Sequence, residues 1–222
     1  VDDGSTDRTP SILRGYAARE PRIHIATHDH NRRLPSALNT GFSHARGRWL
    51  TWTSHDNRYH RDALSAMAAI LTADASVDVV YADVDIIDDQ GVQKRHQRVR
   101  PIPALGFRGN VVGSCFLYRR EVHEALGGFA EDLFLAEDYY FWLQAADRFR
   151  FHALHQNLYD YRVHQGALSS QFPDARGAVN MALTRAFGKT ASRRLKSGIM
   201  INLAFDLRRD VPSLAVWKYV AE

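Results

Sequence analysis

The chain has 222 residues, of which 45% are hydrophobic and 24% charged, a balance that suits one large globular domain or one domain with a small appendage. Its formal net charge of +4 comes from cations spread along the chain, and no nucleic-acid motif accompanies them. A phosphate-bearing substrate or an anionic surface therefore explains the charge, and nucleic acid is not an expected partner. The single cysteine, Cys115, excludes an intrachain disulfide and a multi-cysteine metal site, and no apolar run reaches the ~18 residues of a membrane span.

In chain order, Val1-Asp2-Asp3-Gly4-Ser5-Thr6-Asp7 followed by Pro10 describes a strand tip, a tight turn and a helix entry. Gly4 allows the turn, Thr6 or Asp7 suits the helix cap, and Pro10 suits its first turn. Residues 11–20 read as a helix with Ile12, Leu13 and Tyr16 at helical spacing, and residues 22–27 as an alternating strand. After a polar loop, Pro35 opens a helix stopped by Gly47, residues 49–53 form a short strand, and residues 62–73 an amphipathic helix. Residues 77–87 are the most strand-like run, closed by a turn at Asp88-Asp89-Gln90-Gly91. This alternation predicts an α/β domain with a mostly parallel central sheet and crossover helices.

Beyond Gly91 the pattern turns mixed. Residues 93–99 pair back as a hairpin, Pro101 and Pro103 mark a loop, residues 114–118 form a strand, and residues 120–126 a helix ended by Gly127-Gly128. A helix over 137–146 carries Phe141, Trp142 and Ala145 on one face. Strands follow at 149–154 and 158–163. From about Ala175 the chain reads as a helical tail, interrupted at Gly188, Gly198 and Pro212, in which Ile199, Leu203, Ala204 and Leu207 share a face between Arg193-Arg194-Lys196 and Arg208-Arg209. That face packs on the core or lies against an anionic membrane. Residues 1–170 and 171–222 are accordingly expected as a main domain and a helical extension.

Four places carry residue types with chemistry. Asp2 and Asp3 stand at a strand's carboxyl end, where open α/β sheets bind ligands; they can accept hydrogen bonds from a base or ribose, or serve only turn amides. The segment Thr51-Trp52-Thr53-Ser54-His55-Asp56-Asn57 ends a strand in a polar cluster that could offer oxygen ligands to Mg²⁺ or Mn²⁺ beside a diphosphate. Glu137 and Asp138 are either ordinary acids favoured at a helix start or a cleft carboxylate able to take a proton from a hydroxyl. In Tyr161-Arg162-Val163-His164, Arg162 suits phosphate oxygens and His164 is a surface histidine or a nitrogen ligand.

Together these stretches resemble the inverting glycosyltransferases of family 2, which have the GT-A fold. VDDGSTD is their signature. Asn31, Ala37, Asn39, Gly41, Ala45 and Gly47 fall on their N-x-G-x-x-x-A-x-N-x-G-x-x-x-A-x-G run, with Arg33 in place of the usual Gly. Ser54-His55-Asp56-Asn57 falls on their Asp-x-Asp-Asp segment, with His55 where an acid is usual. Gly113, Arg119-Arg120-Glu121-Val122, Leu126-Gly127-Gly128-Phe129 and Glu137-Asp138 follow in the family's order. The resemblance covers about residues 1–170. It implies transfer of a sugar from a nucleotide-diphosphate donor to an acceptor hydroxyl with inversion, Asp138 as general base with Glu137 beside it. It further implies Asp2, Asp3, Ser5, Asn31, Asn39 and Arg162 on the donor side, and Mn²⁺ or Mg²⁺ on Asp56 and His164. The acceptor would be a glycan or a lipid-linked group, chosen by residues 96–110 and the segment after Phe129, with the protein cytoplasmic and at most peripheral to the membrane's inner face. In that family a strand and helix precede VDDGSTD, so the domain is expected to be N-terminally incomplete. The rival expectation, motivated by Arg33 and His55, is a catalytically inactive module that binds a nucleotide sugar or glycan. A nucleotidylyltransferase would need a Gly-rich phosphate loop, which the sequence lacks.

Overall fold

The structure, a computed structural model, describes residues 1–102, 105–171 and 175–210. Six strands form one sheet: β1 (Trp49–Leu50), β2 (Arg58–Tyr59), β3 (Val79–Ile87), β4 (Gln93–Gln97), β5 (Phe116–Arg119) and β6 (Phe151–Arg162). Their order is β1-β5-β3-β6-β2, with β4 also on β3. The helices are α1 (Thr9–Ala17), α2 (Arg33–His44), α3 (Ala63–Ala73), α4 (Leu105–Arg108), α5 (Arg120–Leu126), α6 (Glu137–Ala145), α7 (Leu168–Gln171), α8 (Arg176–Lys189) and α9 (Arg193–Asp210).

The α/β class is as expected, and so is a sheet mixed by its later strands, although fewer of its pairs are parallel than the sequence predicts. Within it only β3 and β6 pair in parallel; β1–β5, β5–β3, β3–β4 and β2–β6 are antiparallel. Strands β1, β3 and β6 do share a direction, as crossover helices demand, yet β5 is inserted against them between β1 and β3. Strand β4 follows β3 after residues 88–92, a link that suits only an antiparallel partner. The two strands expected over 149–163 are one twelve-residue strand, β6.

Strand β3 explains why its run was legible. Eight of its nine residues are buried, because helices cover both sheet faces. Val79, Tyr81, Phe116 and Tyr118 face one core with α2, α5, α6, α8 and α9. Val80, Ala82, Val84, Cys115 and Leu117 face a second core with Met67 and Leu71 of α3. Helix α6 is buried nearly all round, Tyr139, Tyr140 and Leu143 as well as the predicted Phe141, Trp142 and Ala145, since both α8 and the sheet pack on it. Arg119 and Arg120 tie this centre together. Arg119 donates to the carbonyls of Leu71 and Val77, and Arg120 to those of Ala45 and Gly47, so both guanidinium groups occupy carbonyls at or just past helix ends.

The strand expected at 22–27 shrinks to one parallel bridge, Asp2 with Thr27. Helix α1 buries no residue, and Ile12 and Tyr16, two of its three apolar residues at helical spacing, are 51% and 55% exposed. The bridge lies outside the six-stranded sheet and offers α1 no broad face. In the tail, Leu195 and Ile199 are buried in the α6 core and Leu203 packs against it. The break falls at residues 190–192, where the Asp147 carboxylate accepts from Ala191 N–H (2.7 Å) and the Thr190 hydroxyl, and Gly188 stays helical. Pro212 and the side chains of Leu207, Arg208 and Arg209 lie outside the described residues. Among the described residues no helix is long and apolar enough to cross a membrane.

Candidate active site

A cavity of about 680 Å³ opens between the first residues, α2 and the segment after β1, with Asp3, Leu34, Ala37, Trp52, Ser54 and His55 in its lining. Its shape depends on Gly4, whose φ of 74° is left-handed and whose missing Cβ would stand 2.6 Å from the His30 carbonyl carbon. The chain therefore doubles back tightly, and the two aspartates part company. Asp2 is buried, and its Oδ1 accepts the Ser5 N–H at 3.1 Å, the turn-amide role. Asp3 borders the cavity. Its Oδ1 accepts from Arg32 N–H at 2.9 Å and meets His28 Nδ1 at 2.6 Å, while His28 Nε2 reaches the Thr40 hydroxyl at 2.9 Å. Both contacts fall on Oδ1, which leaves Oδ2 for a ligand. The buried His28 had no signal in the sequence, where it was one more residue of a polar loop.

At the other end of the cavity the segment after β1 is pinned by long-range bonds. The Thr51 hydroxyl donates to the Phe116 carbonyl and the Thr53 hydroxyl pairs with Tyr159 OH at 2.7 Å. Asp56 Oδ2 meets His164 Nε2 at 3.0 Å, across 108 residues. Among the described residues Asp56 Oδ1 is buried without a partner, an orphaned carboxylate oxygen of the kind a cation would satisfy. Among the described residues no cluster of three or more His, Cys, Asp or Glu is arranged for a metal. One carboxylate and one imidazole fit a divalent cation only if a diphosphate completes the shell, which is how Mg²⁺ and Mn²⁺ are held beside nucleotides. Arg162 brings this loop to the sheet: its N–H donates to Asn57 Oδ1, Nε to the Asp56 carbonyl, and Nη1 to the carbonyls of Asp88 and Asp89. Four of its donors thus serve protein acceptors and fix the loop.

The third element is the start of α6. Leu135 holds a φ of 77°, unusual for a branched side chain, and turns the chain so that Glu137 and Asp138 open the helix. Asp138 is half-buried; its Oδ1 accepts Tyr139 N–H at 2.6 Å and its Oδ2 accepts the Asn110 side-chain amide at 2.9 Å. Burial pushes the Asp138 carboxyl above its ordinary range, against those two hydrogen bonds. Glu137 is 4% exposed with Oε2 unpartnered, and burial, then the charge of Asp138, push it up to about 7. Asn110 ends the 96–110 segment that the resemblance makes a determinant of acceptor choice, and its contact with Asp138 had no signal in the sequence.

Arg33 links the cavity to this helix. It too has a positive φ, 71°, which gives a physical reason for the glycine usual at this place in the resemblance. Its guanidinium lies over the Phe134 ring at 5.1 Å, just before Leu135, while its neighbour Leu34 lines the cavity.

Besides Asp2 and Arg162, three more predicted donor-side residues lie outside the cavity lining. Ser5 is exposed and absent from the cavity lining, and Asn31 Oδ1 accepts Arg33 N–H at the helix entry. Asn39 is a clamp: its Oδ1 accepts Phe129 N–H at 2.8 Å, and its Nδ2 donates to the Phe129 carbonyl and to Glu131. Gly128, φ 86°, is needed there because a Cβ would stand 2.7 Å from Asn39 Oδ1.

Comparison with known proteins places these features. A family model described as glycosyl transferase family 2 matches residues 1–127. An uncharacterised glycosyltransferase of Rickettsia felis is 28% identical over 65% of this chain and 25% of its own length. Among solved structures, S. aureus TarS in complex with UDP-GlcNAc shares the fold with a TM-score of 0.70 at 17% identity, over 91% of this chain and 61% of that one. The mannosyltransferase PcManGT of Pyrobaculum calidifontis, in complex with GDP-Man and Mn²⁺, does so with 0.63 at 21% identity, over 99% and 68%. The chain spans 22%, 25% and 54% of the lengths of three curated relatives that it matches. With its signature segments in order on this fold, the chain belongs to glycosyl transferase family 2.

Proposed function

We propose that the chain forms the transfer domain of a glycosyltransferase that moves a sugar from a nucleoside-diphosphate donor to an acceptor hydroxyl with inversion at the anomeric carbon. The observation that carries this reading is a cavity lined by Asp3 and His55, with Asp56 of the Asp56–His164 pair following His55 in the chain and the Glu137–Asp138 carboxylates at the start of α6 joined to the cavity wall through Arg33 and Phe134. Asp3 Oδ2 accepts a hydrogen bond from the base or ribose. The acceptor oxygen bonds to the anomeric carbon as the bond from that carbon to the diphosphate oxygen breaks, and the electron pair of the broken bond leaves with the diphosphate. The hydroxyl proton passes to Asp138, whose raised pKa brings it nearer the operating pH and makes it a better base than an exposed aspartate. Asn110 holds Asp138 in place through Oδ2.

Asp56 and His164 would hold Mn²⁺ or Mg²⁺, which supplies charge stabilisation to a leaving diphosphate. Binding of UDP-GlcNAc and of GDP-Man with Mn²⁺ by proteins of the same fold supports a nucleotide-sugar donor and a divalent metal. Residues 1–170 carry the machinery, and α8 and α9 form a helical extension that closes its core. The acceptor is a glycan or a lipid-linked group, and the protein works in the cytoplasm, at most peripherally at the membrane.

The test incubates the full chain with UDP- and GDP-sugars and Mn²⁺, following nucleoside diphosphate release and the anomeric configuration of product by NMR. Release that depends on Asp138, with inverted product, supports the reading. A chain that binds none of these donors overturns it.

A further inference from the structure

A second cleft, about 620 Å³, lies between β4 and residues 110–111, within the range of small-ligand sites. Arg95, His96, Arg98, Arg100 and Asn110 line it, and the same Asn110 amide donates to Asp138 Oδ2 at 2.9 Å. The cleft therefore abuts the residue assigned above as general base.

Its charge is one-sided. Residues 93–101 read Gln-Lys-Arg-His-Gln-Arg-Val-Arg-Pro, without a carboxylate. Lys94 is engaged by Asp88 at 2.6 Å. Arg95 donates to the neutral Gln97 side chain and Arg98 to His155 Nδ1. Among the described residues neither guanidinium pairs with a carboxylate. The acids beneath, Asp83 and Asp85, are 3% and 8% exposed and already serve other donors. Asp83 accepts Val99 N–H at 2.8 Å; Asp85 meets His96 Nδ1 at 3.0 Å and accepts the Asn157 amide. Negative charge is thus consumed under the strand while exposed guanidinium groups border the cleft.

Strand β4 is also an edge, and charges on an edge discourage pairing with another chain. That role needs charge but no concavity. Here the charges share one cleft with Val99 and Asn110, beside a half-buried carboxylate.

We propose that this cleft holds an oxyanion carried by the acceptor, phosphate or carboxylate, while the reacting hydroxyl lies against Asp138. The inference rests on the glycosyltransferase reading and names the acceptor class for it. Forked guanidinium groups match such oxyanions, and Asn110 ties recognition of the anion to the position of the base. The class covers phosphoester-bearing glycans, lipid-linked phosphates and uronate-containing polysaccharides.

The experiment titrates the full chain by calorimetry, with the donor cavity filled by UDP or GDP and Mn²⁺, using glucose 6-phosphate, glucuronate and glucose in separate arms. It is repeated with Asp138→Asn and with the double variant Arg95→Ser/Arg98→Ser, whose folding is checked by circular dichroism. At least one charged sugar is expected to bind about tenfold or more tightly than glucose, the size of one or two charge-assisted hydrogen bonds. The double variant loses that preference and Asp138→Asn keeps it. The phosphate arm alone identifies a phosphoester acceptor; the glucuronate arm alone identifies an acidic polysaccharide. Equal binding of all three sugars, or an unchanged preference in the double variant, overturns the proposal. Anionic vesicles that pellet the native chain but not the double variant, with neither charged sugar bound, also overturn it and make β4 a membrane contact. Nucleotide-sugar binding by the native chain is titrated separately, before UDP or GDP is added. A chain that binds no donor fails the parent reading; one that binds donor but ignores acceptor charge fails only this one.

Discussion

Asp56 and Asp138 are carboxylates that neighbouring parts of one fold hold in different ways. Asp56 sits on a loop after a two-residue strand and takes its order from β6, through His164, Arg162 and the Arg162–Asn57 bond. Asp138 opens a helix with seven of its nine residues buried, and its partners are a neighbouring amide and Asn110. The first arrangement keeps a carboxylate beside an imidazole, with one oxygen buried and unpartnered, ready for a cation. The second drives its carboxyl groups toward protonation by burial, which is what a base acting near neutrality needs. In the proposed function one fold thus serves a charge-holding acid and a proton-taking acid by changing only what surrounds them.

The largest expected effect tests the second half of that contrast. Asp138→Asn should lower turnover by ~10² to 10⁴ while donor affinity by calorimetry stays nearly unchanged. Equal losses of rate and donor affinity would make Asp138 a binding residue and erase the difference between the sites.

Asp56→Ala is next, with an expected loss of about 10²-fold in Mn²⁺-dependent nucleotide affinity and an intact fold. His164→Ala should lose less, since the diphosphate and Asp56 remain. Metal titrations at fixed nucleotide read both variants, and an unchanged affinity in Asp56→Ala removes the loop from the metal site.

Glu137 offers a pH signature. Its folded pKa, about 7, lies above the ordinary value of 4.5, so between those values the folded chain binds more protons than the unfolded one. Its contribution to stability is then full below about pH 4.5 and declines as pH rises toward 7. Thermal unfolding across that window should show the decline in the native chain and a shallower one in Glu137→Gln, which keeps the shape without the charge. Parallel curves for the two proteins would show that burial does not govern this pair.

The smallest effect concerns the joint between the sites. At φ 71°, Arg33→Gly relieves backbone strain but loses the ring contact with Phe134, so stability should change by less than ~1 kcal/mol. Arg33→Ala keeps the strain and loses the contact, and should be about 1 kcal/mol less stable than the Gly variant, the reverse of the usual helix order. Denaturant unfolding of the three proteins decides it.

The sequence by itself determined what neighbours along the chain dictate. The Val-Asp-Asp-Gly turn, the both-sides-buried run of β3, the helix starting at Glu137 and the order of the family motifs are local patterns of size, charge and conformational freedom. It also marked Arg33 as an irregularity without saying that the position demands a left-handed backbone. Tertiary structure decided what depends on strand order. Because β5 is inserted antiparallel between β1 and β3, and β6 runs parallel beside β3, the last residues of β6 return to the loop after β1. His164 therefore reaches Asp56 across 108 positions, a contact that no spacing encodes. The same packing gave Asn110 to Asp138, His28 to Asp3, and Asn39 to the Phe129 backbone. Such polar pairs are fixed by where whole elements come to rest once their apolar faces are buried, and a side chain's final partner is written in that packing.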